Sequence, residues 1–428
     1  MEWLSALSTE EWFGRSGLVC FAFAIVHTFA VARFRAWSLR FPKEHAAHQI
    51  LHLLGEVEVV FGSWAAVFIL GLVATRGLHA SADYLSGLSF TEPAFVFVVM
   101  AVCSSRPILH FASSSIAWLA RGLPLKPALG LYAITMTVGP WLGSLITEPA
   151  AMTVTALILW QRYYTQNLSS RLMYATLGLL FVNISIGGTF THFAAPPVLM
   201  VAPVWGWDTP FLFTHFGWKG ALSCVLSTSL VMFVFRRELG NMRMDSRPIS
   251  NDAIPAWVVI VHLGFLAAIV LASHYLVFFS GLFLFFLGLF TATHIYQDQL
   301  RLREGLLVAF FLGGLVILGP PQRWWLEPLL SGLRDSWLYV GAMGLTAITD
   351  NAALTYLGSQ IPLSESARYS LVAGSLVGGG LTVIANAPNP VGFGILNPAF
   401  GEEGIQPWRL LGGALAPTAI AALCYWLL

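Results

Sequence analysis

Apolar residues run through this chain in long blocks rather than in amphipathic stripes. Ten blocks approach the roughly 20 residues that a helix needs to cross a bilayer. They lie near 17–34, 50–74, 91–120, 171–201 and 215–235, then near 254–274, 277–296, 305–320, 366–397 and 408–428. Two further apolar stretches, 128–161 and 336–361, are interrupted near their middles by an acidic residue in a turn-like setting, Glu148-Pro149 and Asp350-Asn351. Each is too long for one straight span and too short for two. Each is therefore expected to be a re-entrant hairpin that turns at mid-depth and leaves on the side it entered. Non-helical backbone survives at that depth only inside protein or beside water. The expected fold is an all-α polytopic membrane protein, with ten transmembrane helices and two re-entrant hairpins.

Loop charges orient these elements. Arg33, Arg35, Arg40 and Lys43, Arg121 and Lys126, Arg162 and Arg171, Arg236, Arg237, Arg243 and Arg247, and Arg301 and Arg303 all fall on one side of a ten-span arrangement. The positive-inside rule makes that side the cytoplasm. Arg323 and Arg334 are exceptions on the outer side. Both termini are then external, in a multi-pass protein of the cell (inner) membrane, and the two halves have opposite topology. The expected boundaries are an N-terminal interfacial segment at 1–16, a first inverted repeat at 17–236, a basic cytoplasmic linker at 237–253 and a second inverted repeat at 254–428. Glu2, Glu10 and Glu11 stand where a signal peptide would be positive, so 1–16 is expected to lie at headgroup depth through Trp3, Trp12 and Phe13.

The halves also share motifs. Residues 146–153 read Ile-Thr-Glu-Pro-Ala-Ala-Met-Thr and residues 348–355 read Ile-Thr-Asp-Asn-Ala-Ala-Leu-Thr. Downstream, Gly187-Gly188, Thr191, Ala194 and Pro197 are matched at a constant offset by Gly378-Gly379, Thr382, Ala385 and Pro388. Glycines followed by prolines, here Pro196-Pro197 and Pro388 with Pro390, break the helical hydrogen-bond ladder. The break frees amides and carbonyls in mid-membrane, and helix ends supply partial charges there. Paired broken segments in inverted halves are the strongest sequence pointer to a transport site. The bland alternative is that the glycines only allow close helix packing.

A charge at the bilayer centre costs from about 2.5 to over 10 kcal/mol, so the ionisable residues inside the apolar blocks become candidates. Asp350 ranks first: with Asn351 and Thr355 it offers a carboxylate, an amide oxygen and a hydroxyl, hard donors that suit a sodium ion. The same carboxylate can hold a proton instead, or it can simply cap a helix. Glu148, with Thr153, is the counterpart, weighed evenly between ion or proton carrier and cap. Asn386 and Asn389 add amide oxygens and Thr191 and Thr382 hydroxyls, with capping of exposed backbone as the alternative. His192 could relay protons or be structural. Glu56 and Glu58 sit in the second span, and Arg106 lies inside the third; Arg106 is expected to pair with one of the two glutamates, either structurally or along an ion path.

Composition narrows the function classes. Of 428 residues, 57% are hydrophobic and 10% charged, and mean hydropathy is +0.73, against about 25% charged residues in soluble domains. Net charge is +1, which points to lipid and not to nucleic acid as partner. Cys20, Cys103, Cys224 and Cys424 show no metal or disulfide spacing. His45, His48 and His52 are too loosely spaced for a zinc site. There is no nucleophile–base constellation and no phosphate loop, so the chain does not read as an enzyme. No cofactor is expected; sodium would be a substrate.

The two tip motifs and two Gly/Pro-broken motifs resemble the ion transporter superfamily, which includes D-type sodium/proton antiporters, arsenite permeases and citrate or dicarboxylate carriers. Thr349-Asp350-Asn351 is similar to the acidic-Asn tip of the antiporters. The whole chain, including Leu-Gly-Glu-Val-Glu in the second span, resembles a bacterial family named for sodium/proton antiport. The resemblance implies secondary active exchange by alternating access, a scaffold domain, a mobile domain carrying both hairpins, and a homodimer. Glu148-Pro149 departs from the Asp-Asn tip such antiporters tend to have in both halves. A sodium- or proton-coupled permease for a carboxylate or arsenite, and a non-transporting membrane scaffold, are the alternatives.

Overall fold

The computed structural model describes residues 9–244 and 254–428. Trp3 of the expected interfacial segment and Arg247 of the basic linker lie outside the described residues. All regular structure among them is helical. The larger elements are α1 Thr9–Ser38, α2 Ala46–Leu54, α3 Val60–Ser86, α4 Thr91–Cys103, α5 Arg106–Arg121, α6 Pro127–Ile146, α7 Glu148–Leu159, α8 Ser170–Gly187, α9 Pro196–Leu199 and α10 Trp218–Val234. They continue as α11 Ala256–Leu271, α12 Leu276–Ala292, α13 Leu302–Leu318, α14 Arg323–Leu330, α15 Asp335–Thr346, α16 Asn351–Ser359, α17 Glu365–Gly378, α18 Asn389–Leu396 and α19 Pro407–Leu427.

This is a multi-spanning membrane fold. Among the described residues, 6 helices are long and apolar enough to cross a bilayer, or up to 8 if each of two bent pairs is one span. That is fewer than the ten blocks in the sequence, for local reasons. The block near 50–74 does not start as a span: Gly55 ends α2, and the crossing helix runs Val57–Ser86. The block near 91–120 bends by 69° between α4 and α5, because Pro107 restarts a helix behind an extended Ser105. The block near 305–320 bends by 42° after α13, where Pro320-Pro321 interrupts the ladder. The blocks near 254–274 and 277–296 hold helices of only 16 and 17 residues. Helix α1 runs unbroken from Thr9, so residues 9–16 continue into the first span.

The chain divides into two compact units. The first contains residues up to Phe97, Arg303–Arg334 and Tyr356–Ser364. Its helices meet through small residues: a side chain on Gly17 would collide with Pro321, one on Gly62 with the ring of Phe310, and one on Gly314 with the backbone of Phe61 and Gly62. Such close backbone approach replaces hydrophobic burial as the cohesive device between helices in lipid. Within this unit Glu56 accepts from Arg303 Nη2 at 3.0 Å and lies 3.6 Å from Arg35 and from His52. Glu58, half-buried, is the middle residue of the short turn Val57–Val59 that follows.

The second unit contains Val98–Leu302, Asp335–Thr355 and Glu365–Leu428. Its central rod is α8, buried nearly all round, and α19 lies against it so closely that Gly178 faces the backbone of Gly413. Helices α6 and α7 form a true hairpin. A methyl on Gly143 would lie 3.4 Å from Ala151 Cβ, one on Gly139 would lie 2.7 Å from Thr155 Oγ1, and the Tyr163 hydroxyl donates to Ala128 O at 2.6 Å. Those three pairs are nearly symmetric about Thr147, the only non-glycine described residue with positive φ, at 70°. The second acidic stretch breaks too, between α15 and α16, but α15 packs on α17, where Gly374 and Gly378 meet the carbonyls of Tyr339 and Met343. Tyr356–Ser364 belongs to the first unit. Arg106 in this unit lies 3.9 Å from Asp298; the bend at Ser104-Ser105 turns the start of α5 toward the segment before α13, where Arg301 N donates to Ser104 Oγ at 3.3 Å.

Candidate functional site

Four interruptions of helix converge in the second unit: the tip at Thr147, the tip at 347–350, the break after Gly187 and the break after Gly378. Each break is tied to the arm of the hairpin beside it. Ser144 Oγ donates to Gly187 O at 3.1 Å and accepts from Phe190 N at 3.1 Å, and Thr191 Oγ1 donates to Ser144 O at 2.7 Å. In the other half Thr382 Oγ1 donates to Ala347 O at 2.8 Å. The matched threonines thus have matched partners, each a carbonyl just before a tip. Their hydroxyl protons go to backbone, which is the capping alternative. Thr153 and Thr355 likewise donate inside their own helices, to Pro149 O at 2.9 Å and to Asn351 O at 3.2 Å.

The two halves meet at Glu148. Its Oε2 accepts from Asn386 Nδ2 at 2.9 Å, and the Asn351 amide donates to Ala385 O at 3.1 Å. Glu148 is fully buried, and its Oε1 has no hydrogen-bond partner among the described residues. The same holds for Asn351 Oδ1 and Nδ2, Asn386 Oδ1, Asn389 Oδ1 and the Thr147 hydroxyl, all buried. Asn389 itself is fixed by giving its Nδ2 to Gly379 O and Thr382 O, both at 2.8 Å. Glycines make the room: a methyl on Gly188 would lie 3.0 Å from Glu148 Oε1, and one on Gly379 would lie 2.9 Å from Asn351 Nδ2 and strike Ser185 Oγ.

An unsatisfied buried polar group costs about 1–3 kcal/mol, and native folds hold few of them. Several carboxylate and amide oxygens left open around one break are a donor set for a hard cation. When protonated, the carboxyl becomes a hydrogen-bond donor and can satisfy one of those same oxygens.

Asp350 is placed differently. Its Oδ1 accepts from Ala352 N at 2.8 Å and Ala353 N at 3.3 Å, the pattern of a helix N-cap. It is half-buried where Glu148 is fully buried. The position of each acid explains the contrast. Asp350 precedes α16 and caps it, whereas Glu148 is itself the first residue of α7, where Thr147 precedes the helix and Ala151 N donates to Thr147 O at 3.0 Å. His192 lies further out, with Nδ1 2.8 Å from Thr209 Oγ1 and its ring stacked 5.8 Å from His274.

Sequence reasoning passed over several polar groups that hold this site. Ser144 and Ser185 brace the breaks, the latter through Leu376 O at 2.7 Å. Asn183 donates to Met136 O at 2.7 Å and accepts from Ser227 Oγ at 3.0 Å. Buried Lys219 donates to the Tyr369 hydroxyl at 2.8 Å. The available signal was a polar side chain about one turn before each Gly-Gly pair.

The sequence model of the family described as "Putative Na+/H+ antiporter" matches residues 13–428. The chain belongs to this family. The match takes in both tips and both breaks, so the pocket lies wholly inside the part of this antiporter-family chain that defines membership. No individual curated protein matches it.

Proposed function

We propose that the chain exchanges sodium for protons across the membrane, with Glu148 as the group that carries one or the other. The observation that supports this most is the buried Glu148 carboxylate, with one oxygen held by Asn386 and the other open beside unpartnered amide oxygens. A sodium ion would take Glu148 Oε1 and the oxygens of Asn351, Asn386 and Asn389 as ligands; a proton would take Glu148 alone. Competition for one carboxylate makes the two movements obligatorily opposed. Asp350 adds negative charge at the second tip while holding the first turn of α16.

The same reading includes a wider architecture: ten crossings with re-entrant hairpins at the two tips, two inverted-topology repeats, external termini and a homodimer in the cell membrane. The matched motifs at constant offset and the matched threonine ties support it. The alternative of an anion permease has less support, since Arg106, the cation proposed for it, lies against Asp298.

Reconstituted vesicles with a trapped pH dye test the proposal. Sodium added outside should drive proton movement in the wild type. Glu148→Gln and Asp350→Asn should both insert normally; the first abolishes sodium-driven proton flux and the second reduces it severely. Normal exchange by Glu148→Gln overturns the assignment, and proton flux that requires an added carboxylate or oxyanion overturns the substrate.

A further inference from the structure

Four cations from three segments gather at one end of the second unit. Arg121 ends α5, Lys126 stands just before α6, and Arg236 and Arg237 begin the short helix Arg236–Gly240 that follows α10. Two contacts on the first turn of α6 bring the segments together. A methyl on Gly130 would lie 3.1 Å from Ala120 O, next to Arg121, and Lys126 Nζ donates to Gly240 O at 3.4 Å. In the orientation set by the basic loops, this is the cytoplasmic face.

The positive charge here has no counter-charge in the fold. All four cations are exposed, and none of them forms an ion pair among the described residues. The acid in these segments is Glu238, and its two oxygens accept from Ser169 N and Ser169 Oγ at 2.6 and 2.8 Å. Arg236 lies over the ring of Phe233 at 4.8 Å. Stacking holds a guanidinium's plane while leaving N–H groups at its edge to reach an oxyanion. Lys126 gives one N–H of its ammonium to the Gly240 carbonyl and keeps the others. Large apolar side chains stand exposed within a turn before the arginines: Trp118 and Leu119 before Arg121, and Phe233 and Val234 before Arg236. Cations placed in this way sit at headgroup depth with hydrocarbon beside them. A ligand that fits must bring negative oxygens and hydrocarbon together.

We infer that this cluster seats an anionic phospholipid, its phosphate oxygens on Lys126, Arg236 and Arg237 with Arg121 beside them, and its acyl chains along Phe233, Val234 and Trp118. Clustered basic residues at the cytoplasmic edge of a membrane helix recognise anionic head groups by this chemistry. The inference uses no residue of the ion pocket and does not rest on the exchange reading.

Native mass spectrometry of the full chain, delipidated in detergent and titrated with phosphatidylglycerol, phosphatidylcholine or inorganic phosphate, tests it. Phosphatidylglycerol should survive activation that strips phosphatidylcholine, with a preference of at least about ten-fold, the size that one hydrogen bond to a charged group supplies. Inorganic phosphate should not displace the lipid. The triple variant Lys126→Gln/Arg236→Gln/Arg237→Gln should lose the bound lipid. Gly240→Glu should lose it as well: its Cβ would lie 3.7 Å from Lys126 Cδ and Nζ, so the side chain fits and sets an acid among cations that all remain. Arg33→Gln/Arg40→Gln/Lys43→Gln removes as much charge from another basic loop and should keep the lipid. Each variant should melt as the wild type does before lipid is added. Equal retention of phosphatidylcholine, displacement by phosphate, wild-type retention by both site variants, or equal loss in the Arg33 variant overturns the proposal.

Discussion

Replacing Gly188 by alanine perturbs the ion pocket with a single methyl. The added Cβ would lie 2.8 Å from Glu148 Cγ and 3.0 Å from Oε1, where ordinary contacts between carbon atoms begin at about 3.5 Å. The carboxylate must therefore move by several tenths of an ångström or more. It is held by one hydrogen bond, from Asn386 at 2.9 Å, and such bonds weaken quickly beyond about 3.2 Å. Losing a hydrogen bond to a charged group costs about 1.5–3 kcal/mol. At about 1.4 kcal/mol per factor of ten, apparent sodium affinity should fall roughly 10- to 100-fold. Backbone elsewhere need not shift, because the clash is with a side chain. The assay is sodium-dependent proton flux in vesicles across a range of sodium concentrations, with a thermal melt of the same protein. Gly264→Ala, with nothing within 4 Å of the new methyl, is the matched control. A Gly188→Ala protein with wild-type half-saturation for sodium would show that the Glu148 carboxylate is not where the ion binds.

Thr147 holds a positive φ of 70°, a conformation that costs a non-glycine residue about 1–3 kcal/mol. Thr147→Gly should raise thermal stability by about 1 kcal/mol; a lower melting temperature would refute the strain. Glu56 is 14% exposed and its partner Arg303 60%, so Glu56→Gln should cost about 1–2 kcal/mol, between a fully exposed pair and a buried one. The difference should shrink in high salt; a larger, salt-independent loss would mean that the pair acts as a buried one.

Much of the site was legible because mid-membrane breaks need particular residues. Glu148-Pro149, Asp350-Asn351 and the two Gly-Gly pairs announce themselves by interrupting apolar runs, and the structure interrupts its helices at each. The ranking of the two acids was less legible. Asp350 stood first on the strength of its Asn neighbour, yet the amides of Ala352 and Ala353 engage its carboxylate, while Glu148 falls inside its own helix and keeps Oε1 open. Which acid caps a helix depends on side-chain length and on the N–H groups within reach, and periodicity carries neither. The approach of Arg106 to Asp298 was not legible for a different reason: it depends on a 69° bend at Ser104-Ser105, and a bend angle has no signature in hydropathy. The straightness of the spans was not legible either: Gly55, Pro107 and Pro320 cut apolar blocks that look continuous when only their hydrophobicity is considered.

The cross-ties from Ser144, Thr191 and Thr382 to the chain on the far side of each gap have a mechanical consequence. Shearing a tip past its neighbouring gap would rupture several short, dry hydrogen bonds together, so tips and gaps will travel as one piece during turnover. On the proposed exchange reading, a cage built from them would then keep its shape whichever compartment it faced. Discrimination between sodium and larger alkali ions would be an equilibrium property fixed by that cage, the same on both faces, and direction of transport would follow only from the prevailing gradients.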